Sequence, residues 1–412
     1  MAASTRRARR PARKQPLEHR LLLTVTLCLL AAGAVMVYSA SSARTLLQGQ
    51  GDGTAYLVRY VVAAGLGLAL MHTLARRGLD AMRRVTPLLL AVSYFLLLVV
   101  LLPGIGIQAN GARRWIGAGP LQFQPSELAK LALVLYAARV IATRPKAIRT
   151  LKGMCTPLLL VGGLGCLLVM GEPDLGTALV MVFALGALLV AGGARGRDLA
   201  IVAGAALALV AIFALLEPYR RARLTAFLHP WSDPGGSGYQ SAQGQIALGS
   251  GGLFGVGLGQ SVQKVFYLPE AHTDFILAVI GEELGVMGVS ILMFLYGMLG
   301  YAGLRAARAA RGRYAKLIAT GITSLILCQA LLNTFTVLGL APLTGVPLPF
   351  VSFGPSNLVV LLAGMGLLLN IAGGGTVHLR AVEGARDAGR DRGRRDGRAR
   401  RAGAGGRRRA AG

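Results

Sequence analysis

Charged side chains in this sequence cluster at four points beside apolar blocks. The sharpest cluster, at 264–275, reads Lys264-Val-Phe-Tyr-Leu-Pro-Glu270-Ala-His272-Thr273-Asp274-Phe. Threonine is a residue type that caps helices, so we expect Thr273 to cap a helix and Asp274 to lie in its first turn. This places a carboxylate at the end of an apolar block.

A stripe of small residues follows this carboxylate. Ala278, Gly281 and Gly285 share a face with Asp274 on a helix that advances about 100° per residue. The stripe fits two interpretations, which the sequence leaves open. It could provide close packing against another helix, or it could form a groove for a lipid tail with a catalytic carboxylate at its mouth.

The second cluster, at 124–130, reads Gln124-Pro-Ser126-Glu127-Leu-Ala-Lys130. Proline suits the first turn of a helix, so a helix is predicted to begin here. Glu127 and Lys130 are three residues apart and share one helical face, which favours an ion pair. Lys130 is also a candidate partner for Glu282 or Glu283, because ionised groups deep in an apolar segment need partners.

Two further clusters lie in predicted loops. Arg113 and Arg114 follow Asn110, and Gly171-Glu-Pro-Asp-Leu-Gly-Thr177 forms a tight turn into the next apolar block. Acidic residues suit a helix N-terminus, so capping alone would explain Asp174. The arginine pair lies on the side opposite to the other basic loops, and this exception favours an anionic ligand.

A long polar stretch, 217–273, separates the seventh and eighth apolar blocks. It opens with Arg220, Arg221 and Arg223 and continues with a glycine-rich run from Gly249 to Gly259. This run lacks the GxxxxGK[ST] pattern and a preceding strand, which argues against an NTPase phosphate loop. Close backbone packing, or an irregular segment lining a cavity, is the better interpretation.

Apolar blocks must position these clusters, and their lengths indicate a membrane protein. The chain has 412 residues, of which 54% are hydrophobic, together with a formal charge of +27. Each block is long enough to cross about 30 Å of hydrocarbon. The ten predicted spans are 21–39, 57–75, 86–103, 124–142, 154–170, 175–193, 198–216, 274–303, 317–339 and 350–372.

The loops between these spans predict an orientation. With the N-terminus in the cytoplasm, every inner loop is basic, as the positive-inside rule requires. We therefore expect a basic cytoplasmic N-terminal tail at 1–20, a membrane domain at 21–372 and a disordered, arginine-rich cytoplasmic tail at 373–412. The basic tails would be attracted to anionic lipid. The four cysteines all fall inside apolar blocks, where they suit packing better than disulfides or metal binding.

Taken together, these motifs resemble the SEDS family (FtsW, RodA and SpoVE) over about 35–372. The matching segments are 36–42, 110–116, 124–130, 173–177, 249–255, 268–285 and 344–350 with Ser352. Ala271 resembles the FtsW division branch. The resemblance implies an all-α polytopic membrane protein of about ten transmembrane helices, with a large extracytoplasmic loop between spans seven and eight.

The same resemblance implies a peptidoglycan glycosyltransferase that polymerises lipid II at the outer face of the bacterial cytoplasmic membrane. Its essential aspartate matches Asp274, which would act as the base. Partners would be lipid II, a class B penicillin-binding protein and divisome proteins, and no nucleic acid is expected. The residues predicted to contact substrate are Arg113, Arg114, Gln124, Ser126, Glu127, Lys130, Arg220, Arg221, Arg223, Lys264, Glu270, His272, Thr273 and Ser352.

Several alternatives stay open. A lipid II transporter would also use buried charges and a lipid groove, and a scaffold for a transpeptidase would leave those charges unexplained. An elongation or sporulation paralogue fits as well, because Pro355 departs from the family's usual Ser-Tyr-Gly-Gly-Ser-Ser continuation and could reshape the start of span ten. No metal motif is present, although a divalent cation could bridge the carboxylate and the pyrophosphate.

Overall fold

The structure, a computed structural model, describes residues 16–49, 53–109, 112–118, 121–216, 221, 227–229, 231–233, 235–236 and 238–374. Most of both predicted tails, and with them Asn110, Arg220 and Arg223, lie outside these residues. Contacts divide the chain into one unit, Met1–Thr376, and a second, Val377–Gly412, which is also outside the described residues.

Helices dominate the described part of the chain and confirm the all-α prediction. They are α1 (Leu17–Leu47), α2 (Ala55–Arg76), α3 (Leu79–Leu101), α4 (Pro125–Thr143), α5 (Leu151–Gly171), α6 (Leu175–Gly192), α7 (Gly196–Leu216), α8 (Tyr239–Ser250), α9 (Ile276–Ala309), α10 (Arg313–Val337) and α11 (Pro355–Ala372). A 3₁₀ turn at Ala147–Arg149 precedes α5, which contains a π-helical stretch at Cys155–Leu159.

Eight of these helices, judged over the described residues, are long and apolar enough to cross a membrane: α1, α2, α3, α5, α6, α9, α10 and α11. A helix also covers each of the two remaining predicted spans, at α4 and α7. Helix α4 carries three charged residues, Glu127, Lys130 and Arg139, which lowers its hydropathy. The count of ten spans therefore stays a prediction.

A small antiparallel sheet, which the sequence patterns did not predict, lies between α3 and α4. Its strands are β1 (Ile107–Ala109), β2 (Ala112–Ala118) and β3 (Leu121–Phe123), in the order β1-β2-β3. Arg113 is paired with Gln108, and Ile116 with Phe123. The sheet fixes the backbone that carries Arg113 and Arg114 next to the start of α4.

The core of the protein surrounds α10 and α11. Helix α10 packs against α4, α6, α9 and α11, and α11 packs closely against α2. Of the apolar window of α11, 83% is buried, whereas only 22% of the α2 window is buried. Helix α2 therefore lies at the periphery of the helix bundle, and α11 is a central helix.

Candidate active site

The N-termini of four helices meet at one end of the protein. The backbone N–H of Gln124, before α4, donates to Ser356 Oγ of α11 at 3.1 Å, and its Nε2 donates to Asp174 Oδ2, before α6, at 3.3 Å. The N–H of Phe353 donates to the carbonyl oxygen of His272, before α9, at 3.0 Å. Each helix N-terminus carries a partial positive charge, so four together favour an anion.

Asp274 lies at this meeting point. Its side chain is half-buried. Asn333 of α10 holds the surrounding backbone, because its Nδ2 donates to the carbonyl oxygens of both Asp274 and Val346 at 2.8 Å. Gly345 faces the carboxylate, since a Cβ atom there would lie 3.3 Å from Asp274 Oδ2. The carboxylate thus has a fixed backbone and a neighbour without a side chain.

The predicted cap at Thr273 is wrong. Helix α9 begins at Ile276, and its cap position is Phe275, so Asp274 precedes the first turn. The Thr273 hydroxyl instead donates to Glu270, to its carbonyl oxygen at 3.1 Å and to Oε2 at 3.0 Å. These bonds fold 270–275 into consecutive turns, which delay the start of the helix.

The interpretation of the small-residue stripe as a lipid groove is also wrong. Ala278 is fully buried, and the position of a side chain on Gly281 is already taken by Leu248 of α8. Gly285 has φ +66° and interrupts the helical backbone of α9, and Leu253 packs directly against it. The stripe exists because α8 and the glycine-rich turn after it pack closely against α9.

An extended segment, 344–350, lies next to Asp274 and forms one wall of the site. Its carbonyl oxygens are bound by side chains from three different helices, which supply the donors that a strand or helix would otherwise provide. The bonds run from Asn333 to Val346, from Gln329 to Pro347 at 3.0 Å, from Tyr296 to Pro349 and from Tyr60 to Phe350. Proline at 347 and 349 removes two backbone donors that would otherwise need partners.

Buried charges connect this wall to α4. Lys130 Nζ lies 2.9 Å from each carboxylate oxygen of Glu127, which confirms the predicted ion pair, and 3.1 Å from Gln329 Oε1. Helix α4 begins at Pro125, as predicted. Ser126 is fully buried, and its Oγ has no hydrogen-bond partner within the described ranges.

Lys130 is not the partner of Glu282 or Glu283, so that predicted pairing is wrong. Lys264 Nζ lies 2.7 Å from Glu283 Oε1 and 3.1 Å from Ser39 Oγ, and Ser39 also donates to Glu283 at 2.7 Å. The Lys264 side chain is only 4% exposed, so a substrate phosphate would have to compete with Glu283 for its ammonium group.

Glu282 is bound by the segment before Lys264. Its carboxylate accepts hydrogen bonds from the Ser261 hydroxyl and from the backbone N–H of Val262, the latter at 3.0 Å. Together with Lys264 and Glu283, this contact closes a loop from 261 to 283 that contains Asp274. The loop is therefore fastened at its base by buried charged side chains.

The turn before α6 carries a capping carboxylate and a buried one. Asp174 Oδ1 accepts from Thr177 N–H at 3.0 Å, which confirms the predicted capping role. Arg114 donates to the carbonyl oxygens of Glu172, at 3.0 Å, and of Pro173. Burial raises the pKa of the Glu172 carboxyl to about 9, with a further contribution from Asp174, while Arg114 acts in the opposite direction.

His272 belongs to an aromatic cluster. Its ring centroid lies 4.5 Å from that of Tyr56 and 5.7 Å from that of Phe353, and burial lowers its pKa. The positive charge of Arg44, at the end of α1, lowers it further, while Glu270 acts in the opposite direction. Arg59 of α2 lies 6.0 Å from the Tyr56 ring. Arg44 and Arg59 are thus two cations that the sequence motifs did not single out.

The other predicted contact residues differ in accessibility. Ser352 is buried, and its Oγ accepts the N–H of Leu348 at 2.9 Å. Arg113 is half-buried on β2, and Arg221 is exposed.

Pro355 occupies the first turn of α11, where its missing N–H is tolerated. The departure from the family motif at this position therefore preserves the helix start.

Metal binding at the site would depend on the substrate. No group of three or more His, Cys, Asp or Glu side chains in the described ranges could hold a metal ion. A cation between Asp274 and a pyrophosphate would take its other ligands from phosphate oxygens and water, as Mg²⁺ commonly does. A divalent cation here stays a prediction.

Comparisons with known proteins show the family to which the chain belongs. Residues 19–375 match the FtsW/RodA/SpoVE family, described as cell cycle protein. The chain is 42% identical over 364 residues to the probable peptidoglycan glycosyltransferase FtsW of Thioalkalivibrio sulfidiphilus, covering 87% of this chain and 90% of that protein. It is 40% identical over 352 residues to stage V sporulation protein E of Bacillus subtilis, covering 85% and 96%.

Solved structures of members of this family have a similar fold. A chain from a structure described as structural coordination of polymerization and crosslinking by a peptidoglycan synthase complex has a TM-score of 0.70 and 32% identity, covering 85% of this chain and 96% of that one. The rod shape determining protein RodA of Thermus thermophilus has a TM-score of 0.61 and 30% identity, covering 85% and 95%.

Proposed function

We propose a catalytic arrangement for this chain, which belongs to the SEDS family of FtsW, RodA and SpoVE and is a multi-pass membrane peptidoglycan glycosyltransferase. The proposed substrate is lipid II, and the product is a longer glycan strand. The acceptor hydroxyl oxygen forms a bond to the anomeric carbon of the donor sugar. The bond to undecaprenyl pyrophosphate breaks, and the hydroxyl proton passes to Asp274.

One observation carries this proposal: a half-buried carboxylate lies where four helix N-termini converge. The N-termini favour the negative charge of a leaving pyrophosphate at a fixed place, which is the main contribution expected from a preorganised site. Asp274 at the same place can accept a proton without moving. The reaction requires both a site for the leaving pyrophosphate and a base for the acceptor hydroxyl, and this place provides both.

Cations around the site divide into two groups. We propose that Arg44, Arg59, Arg113, Arg114 and the 220–223 arginines contact phosphate, because those that the structure describes retain exposed surface. Lys130 and Lys264 are engaged in buried ion pairs. Their proposed role is to hold the frame around Asp274, with Gln124, Glu127 and Ser352.

The orientation of the chain follows from its charge. We propose that Asp274 faces the outside of the cytoplasmic membrane and that both termini are cytoplasmic, because the loops at the opposite end are basic. This side suits chemistry on lipid II that has already been flipped across the membrane. The basic tails would then contact anionic lipid in the inner leaflet.

A class B penicillin-binding protein is the partner we propose. The structural relative from a peptidoglycan synthase complex, which couples polymerization to crosslinking, supports this choice. Relatives named FtsW, together with Ala271, favour a division role among divisome proteins, whereas the SpoVE relative favours sporulation. We propose the division role. Loss of cell-wall synthesis at the division septum when this protein is depleted from growing cells would distinguish it from a sporulation role.

Polymerisation of lipid II by the purified protein with its cognate penicillin-binding protein tests the proposal. Wild-type protein should produce glycan strands, and Asp274→Asn should reduce the yield by at least about 100-fold, as expected for loss of a general base. Asp198→Asn, at the opposite end of the protein, is the matched control and should retain activity. Equal yields from wild type and Asp274→Asn would exclude Asp274 as the base.

The same preparations distinguish the transporter alternative. Fluorescent lipid II in proteoliposomes reports translocation separately from polymer formation. Translocation by wild type without any polymer would overturn the glycosyltransferase assignment in favour of transport. Polymer formation that depends on Asp274, with no translocation, would exclude transport as the activity of this site.

A further inference from the structure

The glycine-rich segment after α8 folds back against the interruption in α9. Gly255 approaches the backbone of Glu283 so closely that a side chain would not fit there. Four backbone hydrogen bonds of 2.9–3.1 Å join the two segments: Val256 N–H to Glu282, Gly257 N–H to Glu283, Val286 N–H to Gly252 and Met287 N–H to Leu253. Irregular backbone of this kind is tolerated at a membrane only when its polar groups are satisfied by protein.

The same segment directs large apolar side chains outward. Leu253, Phe254 and Leu258 are 66%, 77% and 56% exposed. No charged residue occurs between Asp233 and Lys264. An aqueous loop of this length would normally carry charges, whereas exposed apolar side chains without charges indicate contact with lipid or with another apolar surface.

One ion pair and one hydrogen bond between α1 and α9 locate the segment relative to the bilayer. Arg305 at the far end of α9 pairs with Glu18 of α1 at 3.0 Å, and Glu283 is bound by Ser39 of α1. At about 1.5 Å per residue, these two levels are about 32 Å apart along α1 and about 33 Å apart along α9. That separation matches the thickness of a hydrocarbon core, about 30 Å. The glycine-rich segment, at the level of Glu283, thus lies at the boundary of the hydrocarbon.

Exposed apolar surface continues from α9 onto the segment. Val286 and Met287 are 55% and 53% exposed, and their own N–H groups bind Gly252 and Leu253. Further along α9, Ile291 and Phe294 are also exposed. We propose that 252–258 is a membrane-interface anchor, whose Leu253, Phe254 and Leu258 side chains are immersed in the acyl chains on the Asp274 side of the bilayer.

Spin-label accessibility tests this anchor in the full chain reconstituted in nanodiscs. Single labels are attached to Phe254→Cys, Phe294→Cys and Gln48→Cys in a background without native cysteines that still elutes as a monodisperse protein. Oxygen partitions into acyl chains, whereas an uncharged, water-soluble nickel chelate stays mainly in water. The label at 254 should be more accessible to oxygen than to the chelate. Its ratio of oxygen to chelate accessibility should be lower than that of the label at 294, because it lies at a shallower depth.

Gln48, about 13 Å beyond Ser39 on α1 at the helical rise, provides the aqueous reference. A label at 254 with the same accessibility as the label at 48 would overturn the proposal. Shielding of the label at 254 from both reagents would also overturn it, because protein would then cover the segment. Leu253→Cys provides a second site if the label at 254 disturbs the fold, and the same two outcomes apply to it.

Discussion

Lys264 Nζ and Glu283 Oε1 form a 2.7 Å ion pair in which the two side chains are only 4% and 0% exposed. Removing one partner leaves the other charge buried and unpaired, which costs about 3–5 kcal/mol. We therefore expect Glu283→Leu or Lys264→Met to lower the midpoint of thermal unfolding sharply. The double variant should recover most of this loss, because two apolar residues of similar volume replace the pair.

The Arg305–Glu18 pair provides the matched control for these single and double variants. Its N–O distance is 3.0 Å, but the arginine side chain is 47% exposed. Glu18→Gln should therefore change the midpoint little, since solvent screens exposed ion pairs and they contribute little to stability. Additive losses in the Lys264 and Glu283 variants, with no recovery in the double variant, would contradict the expected coupling.

Asn333 offers a test of how the backbone beside Asp274 is held. Asn333→Ala removes two bonds of 2.8 Å, to the carbonyl oxygens of Asp274 and Val346. We expect kcat for polymerisation to fall by about 10-fold or more, because a displaced carboxylate loses its geometry. KM should change much less, since the Asn333 side chain is only 1% exposed and offers a substrate almost no surface.

Asn370→Ala is the control for this substitution. Asn370 also donates from Nδ2 to two carbonyl oxygens, those of Ala75 and Arg77 at 2.7 and 3.3 Å, but at the other end of the protein. It should lose stability without a selective effect on kcat. Equal effects of the two variants on kcat would mean that Asn333 serves only the fold.

The sequence predicted the helices well because each is a long apolar block with a clear boundary. Pro125 and Asp174 marked two helix starts correctly, since both act locally within one turn. The cap at Thr273 failed because residues 270–275 form consecutive turns, so that α9 begins only at Ile276. Local patterns therefore succeeded where the helix starts directly at or after the marked residue, and failed where turns come first.

Pairings between distant segments could not be predicted in the same way. Lys264 reaches Glu283 only because the glycine-rich segment folds back against α9, and Ser39 comes from the first helix of the chain. One signal was available but unused: Gln329 and Asn333 are four residues apart, so these two amide side chains share a face of a membrane-length helix. Buried polar residues on one helical face at a membrane indicate a site.

Gly345 provides a steric test of the space in front of Asp274. Its φ is +69°, and a Cβ atom would lie 3.3 Å from Asp274 Oδ2. Gly345→Ala should therefore lower polymerisation by crowding the carboxylate, in addition to a backbone cost of about 1 kcal/mol. Gly193→Ala has a comparable φ of +83° with no atom within 4 Å, so it should incur the backbone cost but retain activity. Full activity of Gly345→Ala would show that the space is not used.

Glu172 should make stability depend on pH in an unusual direction. Burial raises the pKa of its carboxyl from 4.5 to about 9, so the folded protein holds a proton that the unfolded chain releases. This contribution to stability is fully present below about pH 4.5 and is lost as the pH rises toward about 9. Both carboxyl oxygens are buried, and neither has a hydrogen-bond partner in the described part of the chain.

Glu172→Gln keeps the shape of that neutral carboxyl and cannot release a proton. Thermal unfolding in detergent between pH 5 and 9, an interval set by the raised pKa of Glu172, should therefore show a steeper fall in midpoint for wild type than for the variant. At pH 5 the two midpoints should be close, because both side chains are then uncharged. Parallel pH profiles for the two proteins would show that Glu172 is ionised in the folded state and that its carboxylate has found a partner.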